Sequence, residues 1–155
     1  MEMKYNRSEV YNKKIKNLSK VISGIGFEET KTLPTIVGLC EVENKNVVED
    51  LINSDLLKNA NYGISHFDSP DERGIDVALI YRKNIFKILN ENSAYLELKY
   101  ASGKINYTRD QLVVEGVLEN EKIYIIVNHW PSRSGGELGS RPVSYTHLRA
   151  HETSP

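Results

Sequence analysis

The stretch Thr35-Ile-Val-Gly-Leu-Cys-Glu-Val42 constrains the fold more than any other part of the chain. It is short and almost continuously apolar, the pattern of a strand buried on both faces. Three further stretches, 75–81, 110–118 and 122–128, read as strands, the last two as the arms of a hairpin. A chain with several such strands must stack them in sheets and cover the outer faces with helices.

Two helices are available. Over 8–23, Tyr11, Ile15, Leu18 and Ile22 recur at three- and four-residue steps, with Ser8 and Glu9 at the start and Gly24 and Gly26 at the end. Lys13, Lys14, Lys16 and Lys20 fall on the opposite, solvated face. Asn44 caps a second helix running to about Lys58, with Val47, Val48, Leu51 and Ile52 inward. Weaker strands are expected over 61–67, 85–89 and 95–100, and Glu119-Asn120-Glu121 closes a hairpin. The order is helix, strand, helix, then strands joined by short turns, which suggests mixed sheets.

At 155 residues, 26% charged and 39% hydrophobic, the chain suits one domain with a real core. A formal net charge of -1 argues against tight non-specific nucleic-acid binding, which needs a basic excess. A nuclease with its basic groups confined to one cleft remains compatible. The single cysteine, Cys40, excludes an internal disulfide and reads as a small buried hydrophobe. No apolar stretch approaches the roughly 20 residues of a membrane span. The N-terminal residues lack the apolar run of a signal peptide, and nothing predicts an oligomer or assigns a compartment.

Four constellations carry chemistry. In Gly38-Leu39-Cys40-Glu41-Val42-Glu43-Asn44, a carboxylate ends an apolar strand, where a hard divalent cation or a neighbouring Arg could pair with it. In Asp71-Glu72-Arg73-Gly74-Ile75-Asp76, Arg73 precedes a strand opened by Asp76. Arg suits bidentate phosphate recognition, but taken alone the segment reads rather as an Arg–Asp pair that orders the turn. Arg109 stands at the mouth of the strand that begins at Gln111. Asn128-His129-Trp130-Pro131-Ser132-Arg133 follows an apolar strand. His129 could donate to a phosphoryl oxygen, relay a proton, or simply pack beside Trp130.

Residues 143–153 match, in register, the translation of a transposase adapter used in sequencing libraries. His147 and His151 there share the four-residue spacing of a helical zinc site, but Leu148 stands where the metalloprotease motif needs Glu. Residues 1–142 are therefore expected to be the native domain and 143–155 a non-native tail.

Together the Gly-Leu-Cys-Glu-Val-Glu-Asn strand, the Arg-Gly-Ile-Asp-Val-Ala strand and the Asn-His-Trp-Pro-Ser-Arg segment, in that order, resemble the bacterial branch of the endonuclease/exonuclease/phosphatase superfamily. The likeness runs over about 10–142. It implies an α/β fold, a partial four-layer sandwich of two packed mixed sheets like that of DNase I. It implies a hydrolase, a nuclease or phosphodiesterase in which water attacks a phosphate, with Mg²⁺ (or Mn²⁺) as cofactor. Glu41 matches the metal-binding glutamate and His129 the catalytic histidine at the scissile phosphate. Arg109 matches a phosphate-contacting arginine, and Asp76 and Asn128 group with the substrate phosphate by motif. The partner implied is a phosphoester, nucleic acid included. The family's opening Asn-bearing strand and its later Gly-Asp-Phe-Asn and Ser-Asp-His motifs have no counterpart here. The expectation is thus a fragment, truncated at both ends and inactive by itself. The alternative is a non-catalytic module that binds phosphate ligands on the same scaffold.

Overall fold

The computed structural model describes residues 6–95, 98–99 and 104–129. Helix α1 (Arg7–Gly24) is capped by Asn6, whose side chain accepts from the Ser8 amide, so the helix starts ahead of Ser8. Ile22 is buried and Ile15 packs beside it, but Leu18 is exposed and Ser19 takes its inward place. The Ser19 hydroxyl donates to the Lys16 carbonyl at 2.9 Å, so its burial leaves no orphaned donor. A single helical turn, α2 (Phe27–Thr30), follows a left-handed Gly26.

Helix α3 (Lys45–Ile52) begins where expected, with the Asn44 side chain accepting from the Val47 amide at 3.1 Å. It ends well before Lys58. The Asn53 amide closes the last turn, and a 3-10 turn (Lys58–Ala60) buries Leu57 and Ala60 separately.

The strands form two three-stranded sheets. The first is ordered β1 (Ile36–Val42), β3 (Asp76–Arg82), β2 (Tyr62–His66). The second is ordered β4 (Phe86–Ala94), β7 (Gln111–Leu118), β8 (Glu121–Val127). A short pair, β5 (Leu98–Lys99) and β6 (Ile105–Asn106), stands apart; of the strand expected over 95–100, only β5 lies among the described residues as a strand. Every pairing among the described residues is antiparallel, where the sequence suggested mixed sheets. Short connections account for the β2–β3 and β7–β8 pairs, while β1 reaches β3 only through α3 and β2.

Strand β3 is the spine. Its Ala78 and Ile80 face α1 and α3, packing with Ile22, Val48 and Leu51. Its Val77 and Leu79 face the second sheet, packing with Phe86, Leu112 and Val127. Three layers are thus in place among the described residues: helices, sheet, sheet. On the second sheet's far side Tyr124 and Ile126 are exposed. Strand β1, expected to be buried on both faces, instead sits at the end of the described sheet, with Gly38, Cys40 and Glu41 exposed. Glu119 and Asn120 both take positive φ (50° and 69°), the two-residue turn that matches strand twist in a hairpin. No described helix is long and apolar enough to cross a membrane. The proposed boundary at 142–143, and Trp130 to Arg133, lie outside the described residues.

Candidate active site

Antiparallel pairing brings one end of each sheet to a common edge. Glu41 lies near the end of β1, and Val42 pairs with Asp76 at the start of β3. Arg109 precedes β7 and Asn128 follows β8, whose ends pair through Leu112 and Val127.

Glu41 occupies a bulge. The register passes from Cys40↔Val77 to Val42↔Asp76, leaving Glu41 as the extra residue, with φ of +59°. Bulges re-aim a side chain out of the pleat, and a non-glycine residue in the left-handed region costs about 1–2 kcal/mol. The Glu41 side chain is 72% exposed, and His129 Nε2 lies 3.8 Å from its Oε1. Among the described residues it makes no hydrogen bond, so its oxygens keep full capacity for a ligand. A hard divalent cation takes such oxygens, and the donor chemistry fits.

Asp76 has no such capacity. The Ser69 amide and hydroxyl both donate to Oδ1, at 2.9 and 2.6 Å, and His66 Nε2 lies 3.2 Å from Oδ2. The side chains of His66 and Asp76 are 3% and 7% exposed. Asp68 brings a third donor atom within 4.8 Å of this pair. The set clasps the β2–β3 loop shut.

Arg109 is buried, its side chain 5% exposed. Nη1 donates to Asp71 Oδ2 at 3.1 Å and Nη2 to the His129 carbonyl at 3.0 Å. Asp71 also accepts from the Arg73 amide (3.0 Å) and from Arg73 Nε (3.3 Å). Burial pushes the Asp71 carboxyl up, but the hydrogen bonds from Arg73 and Arg109 outweigh it and hold the group below its ordinary range. Asp71 is the member that sequence spacing did not single out. Its partner Arg109 lies 38 residues away, and no local periodicity reports such a contact.

Burial, and then the charge of Arg109, lower the proton affinity of His129, so its imidazole is neutral at neutral pH. His129 Nδ1 and Asn128 Oδ1 are buried with no hydrogen-bond partner among the described residues. The Cys40 thiol donates to the Asn128 carbonyl at 3.5 Å, and Cys40 itself is exposed rather than a core residue. Glu41, His129 and Arg109 thus form one cluster with Asn128 beside it, while Asp76 is turned into the loop clasp.

The sequence profile of the endonuclease/exonuclease/phosphatase family matches residues 2–151. A search of curated proteins finds no match. Among solved structures, humanised D. rerio TDP2 superposes with a TM-score of 0.60 at 15% identity, over 91% of this chain and 51% of that one. D. rerio TDP2 complexed with a single-strand DNA product gives 0.57 at 16%, over 91% and 50%. The endonuclease/exonuclease/phosphatase from Bacteroides vulgatus gives 0.55 at 17%, over 85% and 50%. The human Nocturnin catalytic domain gives 0.52 at 18%, over 87% and 51%. Identities this low show a shared fold, and the chain spans about half the length of each of these neighbours.

Proposed function

Because the chain belongs to the endonuclease/exonuclease/phosphatase family, whose members are hydrolases acting on phosphoesters, we propose that its site serves Mg²⁺-dependent hydrolysis of a phosphodiester by water. Nucleic acid is the favoured substrate class, supported by the TDP2 neighbour that carries a single-strand DNA product. The observation that carries the reading is Glu41, held in a strained left-handed bulge with its carboxylate exposed and unspent.

Members of the family generally use a divalent metal, and Glu41 would hold it here. Bound there, the cation supplies Lewis-acid neutralisation of charge building on the phosphoryl group. The protein's own groups do the rest. Neutral His129, next to Glu41, is suited to hydrogen-bond a phosphoryl oxygen, and Asn128 has a spare buried acceptor beside it. Arg109 fixes the His129 backbone through its carbonyl and adds positive potential from below.

The test is Glu41→Gln in the full-length protein, assayed on bis(p-nitrophenyl) phosphate. Losing an electrostatic contact of this kind lowers the rate on the order of a hundredfold or more. Wild-type activity in the variant refutes the assignment.

A phosphate-binding module on the same scaffold is the second reading. It is favoured by the shortage of acids against His129: among the described residues Glu41 is the one carboxylate within ion-pair distance of its imidazole. The same shortage leads us to expect no hydrolysis from this stretch in isolation. A full-length protein that binds inorganic phosphate but never cleaves would establish the module.

A further inference from the structure

We propose that Arg73, aimed by the buried Asp71, is the residue that grips the substrate's phosphate group, and that Arg109 is a positioning residue behind it. The inference rests on the phosphoester reading of the site and deepens it.

The two arginines share one carboxylate but differ in what they leave over. Arg109 is 5% exposed at its side chain and bridges Asp71 to the His129 carbonyl. A phosphate could reach it only by displacing those bonds inside the protein. Arg73 is 62% exposed, with Nε and Nη2 resting on Asp71 at 3.3 and 3.5 Å. A guanidinium held along one edge still presents its terminal nitrogens outward, the fork that matches two phosphate oxygens.

Charge points the same way. Asp71 carries one negative charge between two guanidinium groups, so the trio keeps a net positive charge, and Arg73 is its exposed member. Arg73 is also tied to the His129 backbone through Asp71 and Arg109. The turn is rigid without the Arg73 side chain. The Asp71 side chain accepts the Arg73 amide, the Asp71 carbonyl accepts the Gly74 amide at 2.9 Å, and Gly74 supplies the positive φ of 62°. The bonds from Nε and Nη2 to Asp71 orient the side chain in advance, which lowers the entropy lost on binding.

Because the turn's bonds are made by backbone, Arg73→Ala separates grip from architecture. The full-length protein is assayed with bis(p-nitrophenyl) phosphate, and inorganic phosphate binding is measured by calorimetry. In Arg73→Ala, KM and the phosphate dissociation constant should rise roughly tenfold to a hundredfold, the loss expected of a charge-assisted contact. The melting temperature should fall only slightly, since Asp71 keeps the residue-73 amide and Arg109, and Arg73→Lys should recover part of the affinity. Unchanged KM and phosphate binding in Arg73→Ala, with Glu41→Gln inactive, would make Arg73 a turn residue and overturn the proposal while the hydrolase reading stands. Should the wild type never cleave the probe, calorimetry still decides: phosphate binding lost in Arg73→Ala supports the grip, binding retained sinks it. The missing turnover then counts against the hydrolase reading alone.

Discussion

Strands β1 and β3 lie side by side in one sheet, and each is an apolar run with a carboxylate at the same edge of the molecule. They use that carboxylate in opposite ways. β3 is buried from Asp76 through Ile80, and Asp76 spends both oxygens on Ser69 and His66. β1 breaks its register one residue before its end and turns Glu41 outward in a left-handed conformation. A carboxylate that is buried and fully paired stabilises a loop, whereas one held exposed at a local cost in backbone energy is available for chemistry. Hydrogen-bonding capacity left unspent, more than place in a motif, separates the two.

Paired substitutions put the largest strain on that contrast. Glu41→Gln should lower metal-dependent hydrolysis in the full-length protein by on the order of a hundredfold or more. Its urea midpoint should stay where it is, because the side chain supports nothing. Asp76→Asn should do the reverse: about 1–3 kcal/mol less stable in urea, as Ser69 and His66 lose a charged acceptor, with kcat nearly kept. An Asp76→Asn protein of full stability and no activity would return Asp76 to the substrate, where its motif had placed it.

The contrast also marks what the sequence can carry. The helix around Ile15 and Ile22, the buried run of β3 and the Glu119–Asn120 hairpin were all legible, because each is set by local periodicity or turn chemistry. So was the grouping of Glu41 with His129, but only through motif likeness. The bulge at Glu41 was not legible, since it arises from how β1 registers on β3. The early end of α3 escaped for a similar reason: Leu56 continues the apolar pattern four residues after Ile52 yet is exposed, and Leu57 is buried from a separate turn. Nor does spacing reveal that Arg109 is committed to Asp71 and the His129 carbonyl. Non-local pairing decides these features, and periodicity is silent about it.

A smaller effect probes the loop that feeds β3. The hydrogen bonds from Arg73 and Arg109 hold the Asp71 carboxyl below its ordinary 3.8 in the folded protein. The unfolded chain therefore binds the proton first as pH falls. The Asp71 contribution is complete above 3.8 and is lost as pH drops through the folded value. Urea titrations across that window should show a wild-type stability that falls more steeply with acid than that of Asp71→Asn. Parallel slopes would mean that the ion pair does not tie this loop to β7.

The smallest expected effect is the sharpest test of β1. If Glu41 pays a backbone penalty for its place on the bulge, glycine should relieve it. The left-handed region costs a side-chain-bearing residue about 1–2 kcal/mol, and the looser unfolded chain of a glycine variant takes back about 0.4–1. Glu41→Gly should therefore gain about 0.5–1 kcal/mol in urea. Glu41→Ala keeps the left-handed strain and loses the same carboxylate, so it should gain nothing. Both variants should lose any rise in melting temperature that Mg²⁺ gives the wild type, since ligand binding to the folded state is what produces it. A glycine variant no more stable than the alanine one would show that the bulge holds Glu41 without strain. The claim that β1, unlike β3, gives up stability to present its carboxylate would then fall.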